Sequence, residues 1–80
     1  MTVQFLANHM GITPAQAKTL NAYVNKAKQA QEREHNERNA PDSTPAINKV
    51  TQYAKYLGFG TYWPGLYPVF TKNGRDFFLE

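Results

Sequence analysis

The chain contains no cysteine, so neither a disulfide framework nor a thiolate zinc site can hold it together. Small secreted domains depend on such staples, and their absence favours an intracellular compartment. Serine is almost missing too: the one residue is Ser43, in a turn context suited to capping a helix. The histidines are His9 and His35, and no GxSxG, HExxH or phosphate-loop spacing occurs. His35 beside Glu32 or Glu34 offers one imidazole among charges on a helix face, which is a solvated arrangement rather than a metal site. A reaction centre needs several converging groups, so the reading is of a non-enzyme that takes no cofactor or metal. No hydrophobic run approaches the roughly 18 residues of a membrane span. The opening MTVQFLANHMG also lacks the basic and apolar regions of a signal peptide. The expectation is a cytoplasmic protein with no membrane contact.

Acidic residues are scarce and unevenly placed. Six Asp and Glu stand against nine Lys and Arg, for a net charge of +3. Glu32, Glu34, Glu37 and Asp42 lie together with Arg33 and Arg38, so the remainder of the chain is strongly basic. Such a body attracts nucleic acid or an acidic protein surface, although a modest positive charge also serves solubility alone.

At 80 residues, with 41% hydrophobic and 14% aromatic residues, the chain is apolar enough to fold as one domain spanning residues 1–80. Thr2 can cap a short helix with Val3, Leu6, Ala7 and Met10 on one face and Gly11 as its stop. Thr13, Pro14 and Gln16 form a capping box with proline in the first turn, a strong helix start. The apolar stripe of this second helix runs Ala17, Leu20, Val24 and Ala27, then gives way to QEREHNERN, a solvated end fraying toward Asn39 or a rod completed by another chain. Two prolines and three capping residues between Ala40 and Pro45 mark a turn. A third helix follows over about Pro45 to Leu57, with Ile47, Val50, Ala54 and Leu57 on one face and Lys49, Gln52, Tyr53 and Tyr56 on the other.

From Phe59 the period changes from helical to extended. Asn73-Gly74 between Val69–Lys72 and Arg75–Leu79 signals a two-residue type I′ hairpin pairing Lys72 with Arg75, Thr71 with Asp76, Phe70 with Phe77 and Val69 with Phe78. Extending the alternation puts Leu66, Pro68, Phe70, Phe77 and Leu79 on a core face, and Tyr67, Val69 and Phe78 on a contact face. Tyr62 or Trp63, together with Arg75, would flank that contact face. Thr61–Trp63 adds a third strand through a Pro64-Gly65 turn of type II, with Pro68 leaving one side of the middle strand unpaired. The fold class is α+β: a short N-terminal helix, two longer packed helices, and a C-terminal antiparallel β-hairpin or three-stranded meander.

Two binding surfaces follow. Three helices cover one face of the sheet, so Tyr62, Trp63, Tyr67, Val69, Phe78 and Arg75 are the candidates for holding a protein or nucleoprotein partner, or a second copy in a homodimer. For DNA or RNA, Lys49, Tyr53 and Tyr56 combine a cation with stacking rings, and Lys26 and Lys28 add charge. The segment QFLANHMGITPAQAKTL resembles a helix-turn-helix, with Ala7 at the small-residue position, Gly11 at the turn and Leu20 at the buried end. That resemblance implies that Thr13, Gln16, Lys18 and Thr19 face a major groove.

In size and general look the chain is similar to small stand-alone proteins of bacteriophages and mobile elements. The likeness implies an inhibitor or redirector of a host machine, as anti-CRISPR proteins are of CRISPR effectors, acting in the cytoplasm of a bacterial host.

Overall fold

Thr2 opens the first helix as its sequence context requires: its hydroxyl accepts a hydrogen bond from the Phe5 amide at 3.1 Å, satisfying one of the free first-turn donors. In the computed structural model, which describes residues 2–79, this helix is α1 (Val3–Met10). Gly11 closes it at φ 69°, a left-handed conformation that a side chain would strain, and its amide together with that of Ile12 donates to the Ala7 carbonyl. Thr13 and Gln16 then form the expected reciprocal box, each side chain taking the other's amide at 3.1 Å, and α2 runs from Pro14 to Asn36. It ends three residues short of Asn39.

The third helix, α3 (Thr44–Tyr56), starts by a different device from the one its sequence suggested. Ser43 is buried, with helical backbone angles and no side-chain capping bond. Asp42 takes the role instead, its Oδ1 accepting from the Thr44 amide at 3.0 Å and the Thr44 hydroxyl at 2.8 Å. The Ser43 amide donates to Glu34 Oε2 at 2.6 Å, so the polar end of α2 is tied to the start of α3.

The amide bond from Thr44, and secondarily its hydroxyl, hold the Asp42 carboxyl below the ordinary aspartate value. A carboxylate with a depressed folded-state pKa contributes stability above its unfolded value and loses it as pH falls through the folded value. Asp42 should therefore titrate at a lower pH than a free aspartate in an NMR titration, with the Thr44 amide following the same midpoint. Thr44→Val should raise that midpoint only part of the way, because the larger amide bond remains.

After α3 the chain forms three strands: β1 (Gly60–Tyr62), β2 (Val69–Lys72) and β3 (Arg75–Phe78), in the antiparallel order β1-β2-β3. The fold is α+β, with the meander alternative realised. At the hairpin turn Asn73 has φ 54° and Gly74 φ 78°, the two positive angles that a type I′ turn demands. All four expected cross-strand pairs of β2 and β3 are present.

Upstream of Val69 the structure corrects the sequence reading. The first strand is Gly60–Tyr62 rather than Thr61–Trp63, and it pairs with Val69–Thr71. Gly65 does not adopt positive φ, so Pro64-Gly65 is not a type II turn, and the connection is an irregular bend. Pro68 is fully buried just before the ladder begins, where it removes no pairing, and the middle strand is bonded on both sides. The main packed pairs are all between consecutive elements: α1 on α2, α2 on α3, α3 on β1, β1 on β2 and β2 on β3.

The core joins the helix stripes to the inner sheet face. Leu6, Ala7 and Met10 of α1, Ala17, Leu20, Val24 and Ala27 of α2, and Val50 and Ala54 of α3 close on Phe59, Phe70 and Phe77. Four of these helix positions are alanine, letting the helix backbones approach closely while the phenylalanines supply the volume. Phe59 packs edge-to-face against both Phe70 and Phe77, with centroids 6.4 and 5.5 Å apart.

Candidate functional site: an outer sheet face and a tyrosine groove

Strand register decides which side chains point away from the helices. Val69 is the direct partner of Tyr62 on one side and Phe78 on the other, so the three form one row across the sheet. They lie on the face opposite Phe70 and Phe77. Val69 is 3% exposed yet stands apart from the core cluster, while Tyr62 and Phe78 are 45% and 56% exposed. The aromatic side chains of the edge strands thus flank the central valine and leave their own surfaces to solvent. The next row on this face is Gly60, Thr71 and Asp76, none of them a large apolar residue.

Of the six residues expected to form the contact face, only Tyr62, Val69 and Phe78 share it. Tyr67 turns inward and packs against the core, with Lys28 Nζ 4.8 Å from its ring centroid. Leu66, expected inside, is instead 40% exposed. Trp63 also packs on the core; its indole Nε1 and Thr61 Oγ1 are buried without a hydrogen-bond partner among the described residues. Arg75 belongs to the inner-face row with Lys72, and its guanidinium lies over the Phe77 ring at 5.4 Å.

The second surface lies where α2 meets α3. Tyr23, Lys49, Gln52, Tyr53 and Tyr56 line an open groove of about 350 Å³. Tyr53 meets Tyr23 edge-on at 5.6 Å and stacks on Tyr56 at 5.9 Å, leaving Tyr56 78% exposed. Tyr23 stands three residues after Leu20 and four before Ala27 on α2, a spacing that places it at the border of the core. Lys18, Lys26 and Lys49 make no ion pair among the described residues, whereas Lys28 pairs with Glu32 at 3.9 Å. Three of the four groove-facing groups of the helix-turn-helix reading are engaged in hydrogen bonds within the helix and its cap. Thr13 Oγ1 and Gln16 Oε1 accept from each other's backbone amides, and the Thr19 hydroxyl donates to the Ala15 carbonyl.

Two acids of the acidic stretch are paired with cations and two accept from neutral amides. Glu32 pairs with Lys28 and Glu37 with Arg33 at 3.5 Å, Glu34 accepts from Ser43, and Asp42 from Thr44. Exposed pairs of this kind contribute little stability. Among the described residues no three His, Asp or Glu side chains gather as metal ligands do, and no helix is long and apolar enough to cross a membrane. No family model, curated protein or solved structure matches this chain.

Proposed function

We propose that the protein is a non-catalytic binding module that docks the outer face of its sheet on another protein, in keeping with the small inhibitors of host machines that its size resembles. The observation that carries this reading is the Tyr62–Val69–Phe78 row, in which two large aromatic side chains stay about half exposed on the sheet face opposite Phe70 and Phe77. Aromatic side chains around a dry centre are what interface hot spots are made of, and contiguous exposed apolar surface marks contact sites. The test is capture of a partner from the native cell by the full chain, repeated with Tyr62→Ala/Phe78→Ala. The reading fails if the same partner is retained at equal affinity by the folded double variant. A second copy of the chain on this face would appear as dimerisation in sedimentation, abolished by the same substitutions.

A second reading, direct binding of single-stranded DNA or RNA, is favoured by the groove of three tyrosines beside Lys49. Base stacking on an aromatic ring is worth about 1–3 kcal/mol per base, and the exposed ring of Tyr56 is the accessible platform. On this reading an oligothymidylate is retarded in a gel at low salt, the retardation weakens steeply as salt rises, and Tyr56→Ala lowers affinity by about fivefold or more. No retardation at low salt removes it.

A further inference from the structure

The tip of the β2–β3 hairpin carries an arrangement that structure alone does not favour. Lys72 and Arg75 are direct cross-strand partners, and like charges placed opposite one another destabilise a sheet. Both lie on the inner-face side of the hairpin, beyond the end of the core. Lys72 Nζ lies 5.1 Å from the centre of the Phe59 ring and Arg75 Cζ 5.4 Å from that of Phe77, and those two rings are locked edge-to-face. Each exposed cation thus gains a weak attraction to a ring of the core while facing its like-charged partner.

A groove of about 280 Å³ opens between this pair and the last turn of α1, with Asn8, His9 and Asn73 on its walls. His9 is fixed between aromatic rings, stacked on Phe5 at 5.7 Å and edge-on to Phe77 at 5.2 Å. No carboxylate lines the groove among the described residues, and Asp76, next to Arg75 in sequence, points to the opposite sheet face. The C-terminus of α1 contributes about half a negative charge, too little to balance two cations.

We infer that this groove is a binding site for a phosphoryl anion, held by Lys72 and Arg75 with the side-chain amides of Asn8 and Asn73 as further donors. Arginine offers a planar fork that matches phosphate oxygens, lysine a point charge, and each amide two donors. The groove, of about 280 Å³ and open to solvent, has ample room for a phosphoryl group. Its ligand is either a small phosphorylated molecule or a phosphate of a nucleic-acid backbone, the recognising chemistry being the same. The site does not depend on the outer face, because Tyr62 and Phe78 lie on the other side of the sheet.

The test is an amide NMR titration of the full chain with inorganic phosphate at constant ionic strength, using chloride as the balancing ion. Saturable shifts are expected over residues 8–11 and 72–75. Lys72→Gln and Arg75→Gln should each weaken binding about fivefold, whereas Arg38→Gln, the same charge change beyond the far end of α2, should alter it less than about twofold. A parallel titration with oligothymidylate assigns the source: tighter binding with the same shifted residues marks a nucleic-acid backbone, and equal or weaker binding a small phosphorylated ligand. A thermal melt supplies a readout that needs no ligand affinity. In chloride, Lys72→Gln should raise the midpoint by about 1–5 °C through relief of repulsion, and saturating phosphate should narrow that gap by stabilising the parent chain more than the variant, whose site is about fivefold weaker. Absence of saturable shifts with both probes, or equal weakening by Arg38→Gln, overturns the assignment.

Discussion

Phe70→Ala should leave the protein largely unfolded near physiological temperature. Phe70 is fully buried at the centre of the middle strand, facing Thr61 and Phe77 across the ladder and Phe59 in the core. Truncating a buried phenylalanine costs about 3–5 kcal/mol through lost transfer energy and the cavity left behind. A domain of this size has only about 4–12 kcal/mol in total by the usual per-residue range, and no disulfide or metal ligand set among the described residues supplements it. One kcal/mol corresponds to about 4–8 °C at this length, so the thermal midpoint should drop by about 15 °C or more. Circular dichroism melts would check this, with Phe70→Leu as the milder comparison. A drop of only a few degrees would mean that the three phenylalanines do not act as one packed unit.

The opposite outcome is expected for the outer row. Tyr62→Ala/Phe78→Ala should reduce affinity for the captured protein partner by about 30-fold or more, because central aromatic hot spots are worth about 2 kcal/mol or more each. Stability should move far less than in Phe70→Ala, since both side chains are about half exposed and the core beneath them is untouched. Val69 loses its flanking rings in this variant, so Tyr62→Ser/Phe78→Ser is a useful companion that keeps the new surface polar. The paired measurement is affinity by calorimetry against melting temperature. Equal loss in both would assign the row to folding rather than to recognition.

These opposed expectations for Phe70 and Phe78 were legible in the sequence because one local signal fixed the register. Asn73-Gly74 demands positive φ at both positions, which sets every pair from Lys72–Arg75 to Val69–Phe78 and hence the face of each side chain. The same locality explains Gly11 and the Thr13–Gln16 box, whose partners lie within four residues of one another.

The alternation failed where it was carried past Pro68. Between Trp63 and Pro68 the backbone is irregular, so a period of two has no meaning there, and Leu66 and Tyr67 exchange the roles that simple counting assigned them. Trp63 lies beyond the end of β1 and was misplaced for the same reason. Ser43 gave a false cap because Asp42 and Glu34 reach the same turn first, one from the adjacent position and one from another helix. The hairpin-tip groove joins His9 to residues more than sixty positions away, a juxtaposition no local pattern encodes. Half of its signal was nonetheless present, in a turn register that sets Lys72 opposite Arg75.

Packing each element chiefly on its neighbour in the chain has a kinetic consequence. Forming a contact between consecutive elements closes only a short loop, and the entropic penalty of closure grows with loop length. Helix pairs and the hairpin can therefore form before the distant encounters, such as His9 with Phe77, that close the core. Folding is accordingly expected at rates between those of helical bundles and of all-β domains, as for mixed domains. A newly made chain would pass quickly through the stage at which Tyr62, Phe70 and Phe78 are all exposed together, shortening the interval in which such segments associate wrongly.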